Sequence, residues 1–283
     1  MQGTVYVNGA WVPAEAARVS VFDRGFLFAD GIYEVAAVLD GRLVDNDAHL
    51  DRLERSLAAI ELKLPISRGE LAAAQKEIVA RNGLREGLVY MQVTRGPADR
   101  DFAFPADAHP TLVLFAQPKQ MTDAPAARTG VSAISTPDLR WARRDIKSVA
   151  LLPQVLAKQQ ARRAGCAEAF MVEDGMITEG ASSNVFILTR DGEIATRQLS
   201  RDILAGCTRA AVLALAREQG LRIAERPFSV AEAQRAAECW ITSATTFVMP
   251  VVALDDAPIG DGRPGPMAQR LRALYFEAAR AAQ

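Results

Sequence analysis

Hydrophobic and polar residues recur with short periods along this chain, and the periods predict a mixture of strands and helices. Residues 4–12 hold two short strand patterns around Asn8-Gly9, the pair that best tolerates positive φ at both turn positions. Residues 32–38 form a second apolar run, which turns at Asp40-Gly41. The chain is therefore expected to open with two β-hairpins.

Two longer segments of the first half repeat their apolar residues with the period of an α-helix. The first starts near Asp47, and its apolar stripe consists of Leu50, Leu53, Leu57 and Ile60. The second starts at Ser67, which has capping-box spacing to Glu70, and it stops at Asn82. Two helices are therefore expected here.

Three stretches of the chain lack periodicity and are predicted to be loops. Residues 22–31 contain two glycines, and residues 95–105 form a polar loop of a size that often carries function. Residues 117–125 hold two prolines and are placed as a linker. The linker separates a small N-terminal domain, 1–116, from a larger C-terminal domain, 126–283.

The second half of the chain mixes hairpins with helices. Hairpin turns are expected at Asp174-Gly175 and Asp191-Gly192. Helices are expected over 155–164, from Gly206 and from Met267. Mixed runs of strands and helices with many hairpins indicate the α+β class and argue against a doubly wound sheet.

Composition and charge narrow the class of protein. The 283 residues are 49% apolar and 24% charged, which is the balance of a globular enzyme. A formal net charge of −1 gives no electrostatic case for nucleic acid or an anionic membrane, and no apolar run approaches the length of a membrane span. Three cysteines without close spacing argue against a disulfide framework, and two histidines are too few for a usual zinc site. We expect a cytoplasmic protein with no signal peptide and no metal.

Lys147 stands out among the basic residues. Only five of the 33 basic residues are lysines, and Lys147 lies between apolar residues just after Arg143 and Arg144. Partial loss of hydration and nearby positive charge both favour an uncharged amine, which makes this lysine a candidate for forming an imine. Taken alone, the pattern also fits a lysine whose stem covers apolar surface.

A second segment, about 30 residues later, changes this interpretation. Residues 178–186 place Glu179 before a run of small and polar residues and then enter a strand. Lys147 followed by this segment resembles the fold-type IV enzymes that use pyridoxal 5′-phosphate (PLP), the D-amino-acid and branched-chain aminotransferases. Five separated segments match in order along nearly the whole chain. The resemblance implies an α+β enzyme with a small N-terminal α/β domain, a larger C-terminal domain rich in β-hairpins, and PLP as cofactor.

The resemblance also implies roles around the reacting part of the cofactor. Lys147 is expected to form the Schiff base and, once displaced by substrate, to move a proton between the substrate Cα and the cofactor C4′. Glu179 is expected to keep the pyridine nitrogen protonated, so that the ring can take up electrons. Ser182 and Asn184 are expected beside Glu179 or as turn formers. An ordinary hairpin glutamate is the alternative for Glu179.

Two turns and one positively charged side chain are candidates for binding the cofactor phosphate. Cys207 and Thr208 lie at the start of a helix, where free N–H groups and the helix dipole favour an anion. Ala244 and Thr245 offer a second turn with N–H and hydroxyl donors. By resemblance, Arg52 contacts the phosphate, and a solvated helix arginine is the alternative.

Substrate recognition is assigned to a strand and a loop. Tyr33 and Val35 share one strand face because side chains alternate, and Arg100 can hold a carboxylate by two parallel hydrogen bonds. The glycine that branched-chain enzymes usually carry after the glutamate next to Tyr33 is absent, and the loop 95–105 is similar to that of the D-amino-acid enzymes. Those enzymes commonly have a histidine two residues after the loop arginine, where this chain has Phe102. The phenyl ring is expected to make the pocket more apolar, or else to pack under the loop and order it.

The leading interpretation is transamination of D-amino acids with a 2-oxo acid as acceptor. Within the same fold, (R)-amine transaminase, branched-chain aminotransferase and 4-amino-4-deoxychorismate lyase are alternatives. A PLP carrier without turnover and a non-enzymatic scaffold are the alternatives from other classes. The expected partners are the small-molecule substrates and, by resemblance, a second copy of the chain in a homodimer, with no nucleic acid and no membrane.

Overall fold

The computed structural model describes residues 3–281, which fall into two compact units. The first unit takes the chain through Met121 and also the short segment Ile146–Ala150, and the second takes Thr122–Asp145 and the chain from Leu151 onward. The first passage between the units falls within 117–125. The domain limits given above stay a prediction, and they do not anticipate the return of Ile146–Ala150 to the first unit.

The first unit is built on a six-stranded sheet in which every neighbouring pair is antiparallel. Its strands are β1 (Thr4–Val7), β2 (Ala10–Pro13), β3 (Gly31–Leu39), β4 (Arg42–Leu43), β5 (Gly87–Thr94) and β6 (Thr111–Pro118). Their order across the sheet is β2-β1-β6-β5-β3-β4. Its helices are α1 (Arg24–Phe28), α2 (Asn46–Ala59) and α3 (Arg68–Arg81), and a 3₁₀ turn covers Ala14–Ala16.

Helix α2 supplies much of the core of this unit. The predicted stripe Leu50, Leu53 and Leu57 is buried there, with Ile60 packed at its edge. Ile146, from the returning segment, lies in the same apolar cluster. Burial of this side chain is one of the interactions that hold the segment Ile146–Ala150 to the rest of the first unit.

The predicted loop 22–31 is wrong, because it contains the short helix α1. The Asp23 carboxylate accepts a hydrogen bond from the Gly25 N–H and caps this helix. Thr94 Oγ1 donates to the other oxygen of Asp23. A helix of five residues is too short to show an apolar period, so its cap and the tertiary bond to Thr94 decide the structure.

The second unit is built on a nine-stranded mixed sheet. Its strands are β7 (Val131–Pro137), β8 (Glu168–Glu173), β9 (Met176–Gly180), β10 (Asn184–Leu188), β11 (Glu193–Thr196), β12 (Arg222–Glu225), β13 (Glu238–Ser243), β14 (Phe247–Leu254) and β15 (Ala257–Pro258). Eight strands follow the order β12-β11-β10-β13-β14-β7-β8-β9, and β15 pairs with β14. The pairs β7–β8, β7–β14 and β11–β12 are parallel.

Helices complete the second unit. They are α4 (Pro125–Thr129), α5 (Leu152–Arg163), α6 (Cys207–Glu218), α7 (Val230–Arg235) and α8 (Pro266–Ala281). The α+β class is confirmed, and the predicted hairpins at Asp174-Gly175 and Asp191-Gly192 join β8 to β9 and β10 to β11. No helix within residues 3–281 has the length and apolar character needed to cross a membrane.

Candidate active site

Backbone hydrogen bonds hold Lys147 and its neighbours to the rest of the first unit. The Tyr33 N–H donates to the Lys147 carbonyl at 3.1 Å, and the Val149 N–H donates to the Gly31 carbonyl at 3.0 Å. The Lys147 N–H donates to Ser56 Oγ at 3.3 Å. The lysine backbone is therefore fixed beside the start of β3, the strand that carries Tyr33.

The Lys147 amine faces a row of aromatic rings. Its Nζ lies 4.3 Å from the centroid of the Tyr33 ring, a distance at which the ring attracts a cation. Tyr33 stacks on Tyr90 at 5.7 Å, and Tyr90 stacks on Phe115 at 4.7 Å. Val35 lies on the same half-buried face of β3 as Tyr33, as the alternation predicts.

Arg52 is buried and paired on the other side of β3. Glu34 accepts hydrogen bonds from Arg52 Nε at 2.6 Å and Arg52 Nη2 at 2.8 Å, and its Oε2 lies 2.8 Å from His49 Nδ1. Burial raises the pKa of the Glu34 carboxyl, but the charge and hydrogen bonds of Arg52 and the hydrogen bond of His49 outweigh burial and bring the pKa to about 2. The alternative of a solvated Arg52 is wrong. Glu34 was missed in the sequence, where its only signal is an acidic residue within an apolar strand.

Two buried arginines shape the loop 95–105. Arg24 Nε and Arg95 Nε each donate to Asp30 Oδ2 at 2.8 Å. Gly96 has φ +85°, and a Cβ there would lie 1.8 Å from the carbonyl oxygen of His109, so this position requires glycine. Arg24 also donates to three loop carbonyls, those of Asp101, Phe102 and Ala103.

Arg100 and Phe102 lie on the outside of this loop. Phe102 is 79% exposed, and its ring lies 5.3 Å from that of Phe28. The Arg100 guanidinium lies 5.3 Å from the Phe28 ring and 5.8 Å from the Phe102 ring. Phe102 does not pack under the loop. Within residues 3–281, no hydrogen bond or ring contact of Arg100 involves Tyr33, so their predicted cooperation stays a prediction.

Glu179, in the second unit, is buried among hydrogen-bond donors. Asn184 Nδ2 donates to its Oε2 at 2.9 Å, and the Leu204 N–H lies 3.2 Å from both carboxylate oxygens. Arg140 Nη1 donates to its Oε1. Burial raises the pKa of Glu179, and the charge and hydrogen bond of Arg140 oppose this rise without cancelling it. Asn184 lies where the sequence predicted it, whereas Arg140 was missed because no local pattern links it to Glu179.

Ser182 faces a different carboxylate. It is exposed, and its Oγ donates to Glu168 Oε2 at 3.3 Å. Ser183 donates to the same oxygen at 2.8 Å, and Lys158 Nζ lies 2.8 Å from Glu168 Oε1. The structure therefore places Ser182 in the turn that Glu168 anchors and does not bring it to Glu179.

The start of α6 is held close to Asn184. Gly206 precedes the helix and provides no side-chain cap, and a Cβ at this position would lie 2.1 Å from Asn184 Oδ1. Asn184 Nδ2 also donates to the Leu204 carbonyl at 3.0 Å. Cys207 and Thr208 are buried in the first turn of the helix. The N–H groups of this turn carry the partial positive charge that favours an anion.

The turn with Ala244 and Thr245 is fixed at both ends. Ser243 Oγ lies 2.8 Å from Thr246 Oγ1, and the Thr246 N–H donates to Ser243 Oγ at 3.2 Å. Arg272 Nη1 donates to the Thr246 carbonyl at 2.8 Å. Ala244 and Thr245 themselves are half-buried between β13 and β14.

Comparison with known proteins decides the family. Residues 31–254 match the family model of amino-transferase class IV. The chain belongs to the class IV aminotransferases. A D-alanine aminotransferase of Bacillus licheniformis is 40% identical over 268 residues, covering 95% of this chain and 94% of the relative. A D-alanine aminotransferase of Staphylococcus haemolyticus is 36% identical over 271 residues, covering 95% of each chain.

Solved structures of branched-chain aminotransferases share the fold of this class IV aminotransferase. The T.th. enzyme with pyridoxamine 5′-phosphate superposes with a TM-score of 0.93 at 26% identity, covering all of this chain and 96% of the other. The Escherichia coli enzyme gives 0.93 at 24% identity, covering 99% and 95%. The predicted fold type and the PLP cofactor are confirmed.

The donor set of this class IV aminotransferase fits PLP. A buried carboxylate suits a protonated ring nitrogen, and a helix start without a side-chain cap suits a phosphate. Thr242 lies opposite Asn184 across β10 and β13, and its buried hydroxyl has no protein partner within residues 3–281. Because buried polar groups are nearly always hydrogen-bonded, this hydroxyl favours a bound polar group nearby.

Proposed function

We propose that this enzyme transfers the amino group of a D-amino acid to a 2-oxo acid in a ping-pong reaction. The observation that carries the proposal is the similarity to D-alanine aminotransferases, at 35–40% identity over 95% of the chain. The T.th. and Escherichia coli branched-chain aminotransferases are only 24–26% identical, which supports a shared fold more than a shared substrate.

Lys147 is the proposed catalytic base and acid. Bound PLP supplies an aldehyde that an amine can attack and a ring that withdraws electrons from the substrate Cα. Lys147 would hold the cofactor through its amine and, once the substrate had taken its place, would carry the proton removed from the substrate Cα. Hydrogen bonds from its backbone to Tyr33 and Ser56 support this role, because a fixed backbone limits the positions of the amine.

The remaining proposed contacts match the charge and hydrogen-bonding character of each protein group to a part of the cofactor. Glu179 keeps the ring nitrogen protonated, and Asn184 orients its carboxylate. Arg52, itself fixed by Glu34, supplies a positive charge to the phosphate. The neutral phosphate donors are the N–H groups and hydroxyls of Cys207, Thr208, Ala244 and Thr245. Ser182 is left with a structural role in its turn.

Arg100 is the proposed ligand of the substrate carboxylate. Its exposed guanidinium has no acidic partner within residues 3–281, and the buried Arg24 anchors the loop that carries it. We propose that a homodimer forms in which this loop completes the active site of the second copy, where it meets Tyr33 and Val35. The three cysteines are free, which suits the reducing cytoplasm that we propose as the location.

Phe102 favours a second candidate activity, the transamination of (R)-configured primary amines. Its exposed ring stands two residues after Arg100 and donates no hydrogen bond from its side chain. A substrate carboxylate is therefore held by fewer groups than in an enzyme with a histidine at this position. A substrate that has an apolar substituent in place of the carboxylate consequently loses less binding free energy here than it would there. Modest activity on 1-phenylethylamine would follow from this difference.

A panel of amino donors tests the proposal. Purified enzyme with PLP is assayed with 2-oxoglutarate and, in turn, D-alanine, L-alanine, L-leucine and (R)-1-phenylethylamine. We expect the highest kcat/KM for D-alanine. A higher kcat/KM for L-leucine would instead establish the branched-chain activity, and release of pyruvate from 4-amino-4-deoxychorismate without an acceptor would establish the lyase.

A further inference from the structure

Arg140 bridges Glu179 to a second buried carboxylate. Its side chain is 5% exposed, and its Nη1 donates to Glu179 Oε1. Its Nε and Nη2 donate to Asp138 Oδ1 at 2.9 Å and Oδ2 at 2.6 Å. Thr178 Oγ1 donates to the same Asp138 Oδ2 at 2.7 Å. The guanidinium is therefore fixed in place by Asp138 while it faces Glu179.

The ion pairs continue from Asp138 towards solvent. Arg144 Nη1 lies 3.5 Å from Asp138 Oδ2, and the two Nη atoms of Arg144 donate to Glu173 at 2.7 and 2.9 Å. The side chain of Asp138 is fully buried, whereas that of Glu173 is 42% exposed. Charges therefore alternate along Glu179, Arg140, Asp138, Arg144 and Glu173.

Arg140 is the cation that contacts Glu179 within the described part of the chain. The other groups facing this carboxylate are the neutral Asn184 amide and the Leu204 N–H, and Asp138 is the nearby anion. Burial raises the pKa of Glu179, Arg140 lowers it, and Asp138 adds a smaller rise. The charge on Glu179 therefore depends on the one guanidinium that Asp138 orients.

We propose that Arg140 is a positioning residue of the transamination reaction, holding Glu179 as an oriented carboxylate for the cofactor ring nitrogen. The inference rests on the role proposed for Glu179 and assigns Arg140 no contact with substrate or cofactor. Without the guanidinium, a buried Glu179 takes up a proton more readily. A protonated Glu179 no longer stabilises positive charge on the ring nitrogen.

Three variants of the full-length enzyme with bound PLP test this inference. Arg140→Met removes the charge, Arg140→Lys keeps the charge without the planar fork, and Arg222→Met is the control, since the Arg222 side chain is 63% exposed and pairs with Asp191. The readouts are the absorbance of bound PLP against pH, and kcat and KM for D-alanine.

Arg140→Met is expected to shift the pH at which the absorbance changes by about one unit and to lower kcat about tenfold, with little change in KM. Arg140→Lys should recover part of both effects, and Arg222→Met should match wild type. A purely structural Arg140 would change thermal stability without moving the absorbance titration.

If Arg140→Met leaves both the absorbance titration and kcat as they are in wild type, the inference is overturned. If Glu179→Gln alters the absorbance while Arg140→Met does not, Glu179 acts without Arg140 and only this inference fails. If Glu179→Gln also leaves the absorbance unchanged, the role proposed for Glu179 fails as well. Should Arg140→Met not fold, Arg144→Met tests the next ion pair: a smaller shift of the titration in the same direction supports the inference, and no shift overturns it.

Discussion

Lys147 is the residue on which the proposed chemistry depends, because its amine is the proposed nucleophile and proton carrier. We expect Lys147→Ala to abolish transamination and the absorbance of covalently bound PLP, while the fold is kept because Ile146 still fills the core. Activity and absorbance spectra measure both effects, and Lys76→Ala, at an exposed lysine of α3, is the matched control. A borohydride-reducible adduct on another lysine of Lys147→Ala would contradict the assignment.

The lowered pKa of Glu34 leads to a prediction about the stability of the protein in acid. Its folded pKa, about 2, lies below its ordinary value of 4.5, so its contribution to stability is full above pH 4.5 and is lost as the pH falls towards 2. The contribution is about 3–4 kcal/mol of unfolding free energy, because one pKa unit corresponds to about 1.4 kcal/mol. Glu34→Gln should therefore flatten the stability curve across this window and also destabilise the protein at pH 7, since Arg52 is left buried without its partner.

Urea unfolding at pH 7 and pH 3 measures the Glu34 effect. The control is Glu77→Gln, because Glu77 forms an exposed pair with Arg81 four residues away on α3 and such pairs contribute little. If Glu34→Gln and wild type lose the same free energy between the two pH values, the ion pair with Arg52 is not what lowers the pKa of Glu34.

Among the elements, helix α3 allows a test of how much its N-terminal capping box contributes to the free energy of unfolding. Ser67 Oγ accepts from the Glu70 N–H at 3.2 Å, and Glu70 Oε2 accepts from the Ser67 N–H at 2.8 Å. Ser67→Ala removes one acceptor and is expected to cost about 1 kcal/mol of unfolding free energy. Ser67→Asp keeps an acceptor and should stay near wild type in thermal melts, so equal losses in both variants would refute the capping explanation.

Elements fixed by adjacent residues were predictable, and elements fixed at a distance were not. The turn at Asn8-Gly9 and the capping box of Ser67 lie within a few residues, and both are present. The parallel pair β11–β12 was not predicted, because α6 lies between the two strands in the chain. Parallel partners carry no turn signal in the sequence, and only the folded sheet brings them together.

The candidate site shows the same division. Lys147, Glu179 and Asn184 could be proposed from the sequence because they lie in segments that resemble a known family. Glu34 and Arg140 were missed because each acts through an ion pair with a residue in another element. Such pairs form only when the chain folds, so neither spacing nor periodicity indicates them.

At the scale of the whole molecule, the proposed homodimer predicts that two inactive variants restore each other. Lys147→Ala lacks the proposed nucleophile, and Arg100→Ala lacks the carboxylate ligand that we assign to the second copy. Unfolding and refolding the two variants together should restore part of the activity, because a mixed dimer has one site with both residues intact. Each variant refolded alone is the control. No recovery, or an active monomer in sedimentation at assay concentration, would contradict the shared site.

The return of Ile146–Ala150 to the first unit has a consequence for biosynthesis. A nascent chain that ends at Met121 already holds all six strands of the first sheet, but it lacks Ile146 from the core and the backbone bonds to Gly31 and Tyr33. Further synthesis, on the order of seconds, must therefore precede the completion of this unit. The proposed nucleophile thus reaches its place in the same step that closes the first core, and a purified fragment of residues 1–121 should remain sensitive to protease where one of residues 1–150 is protected.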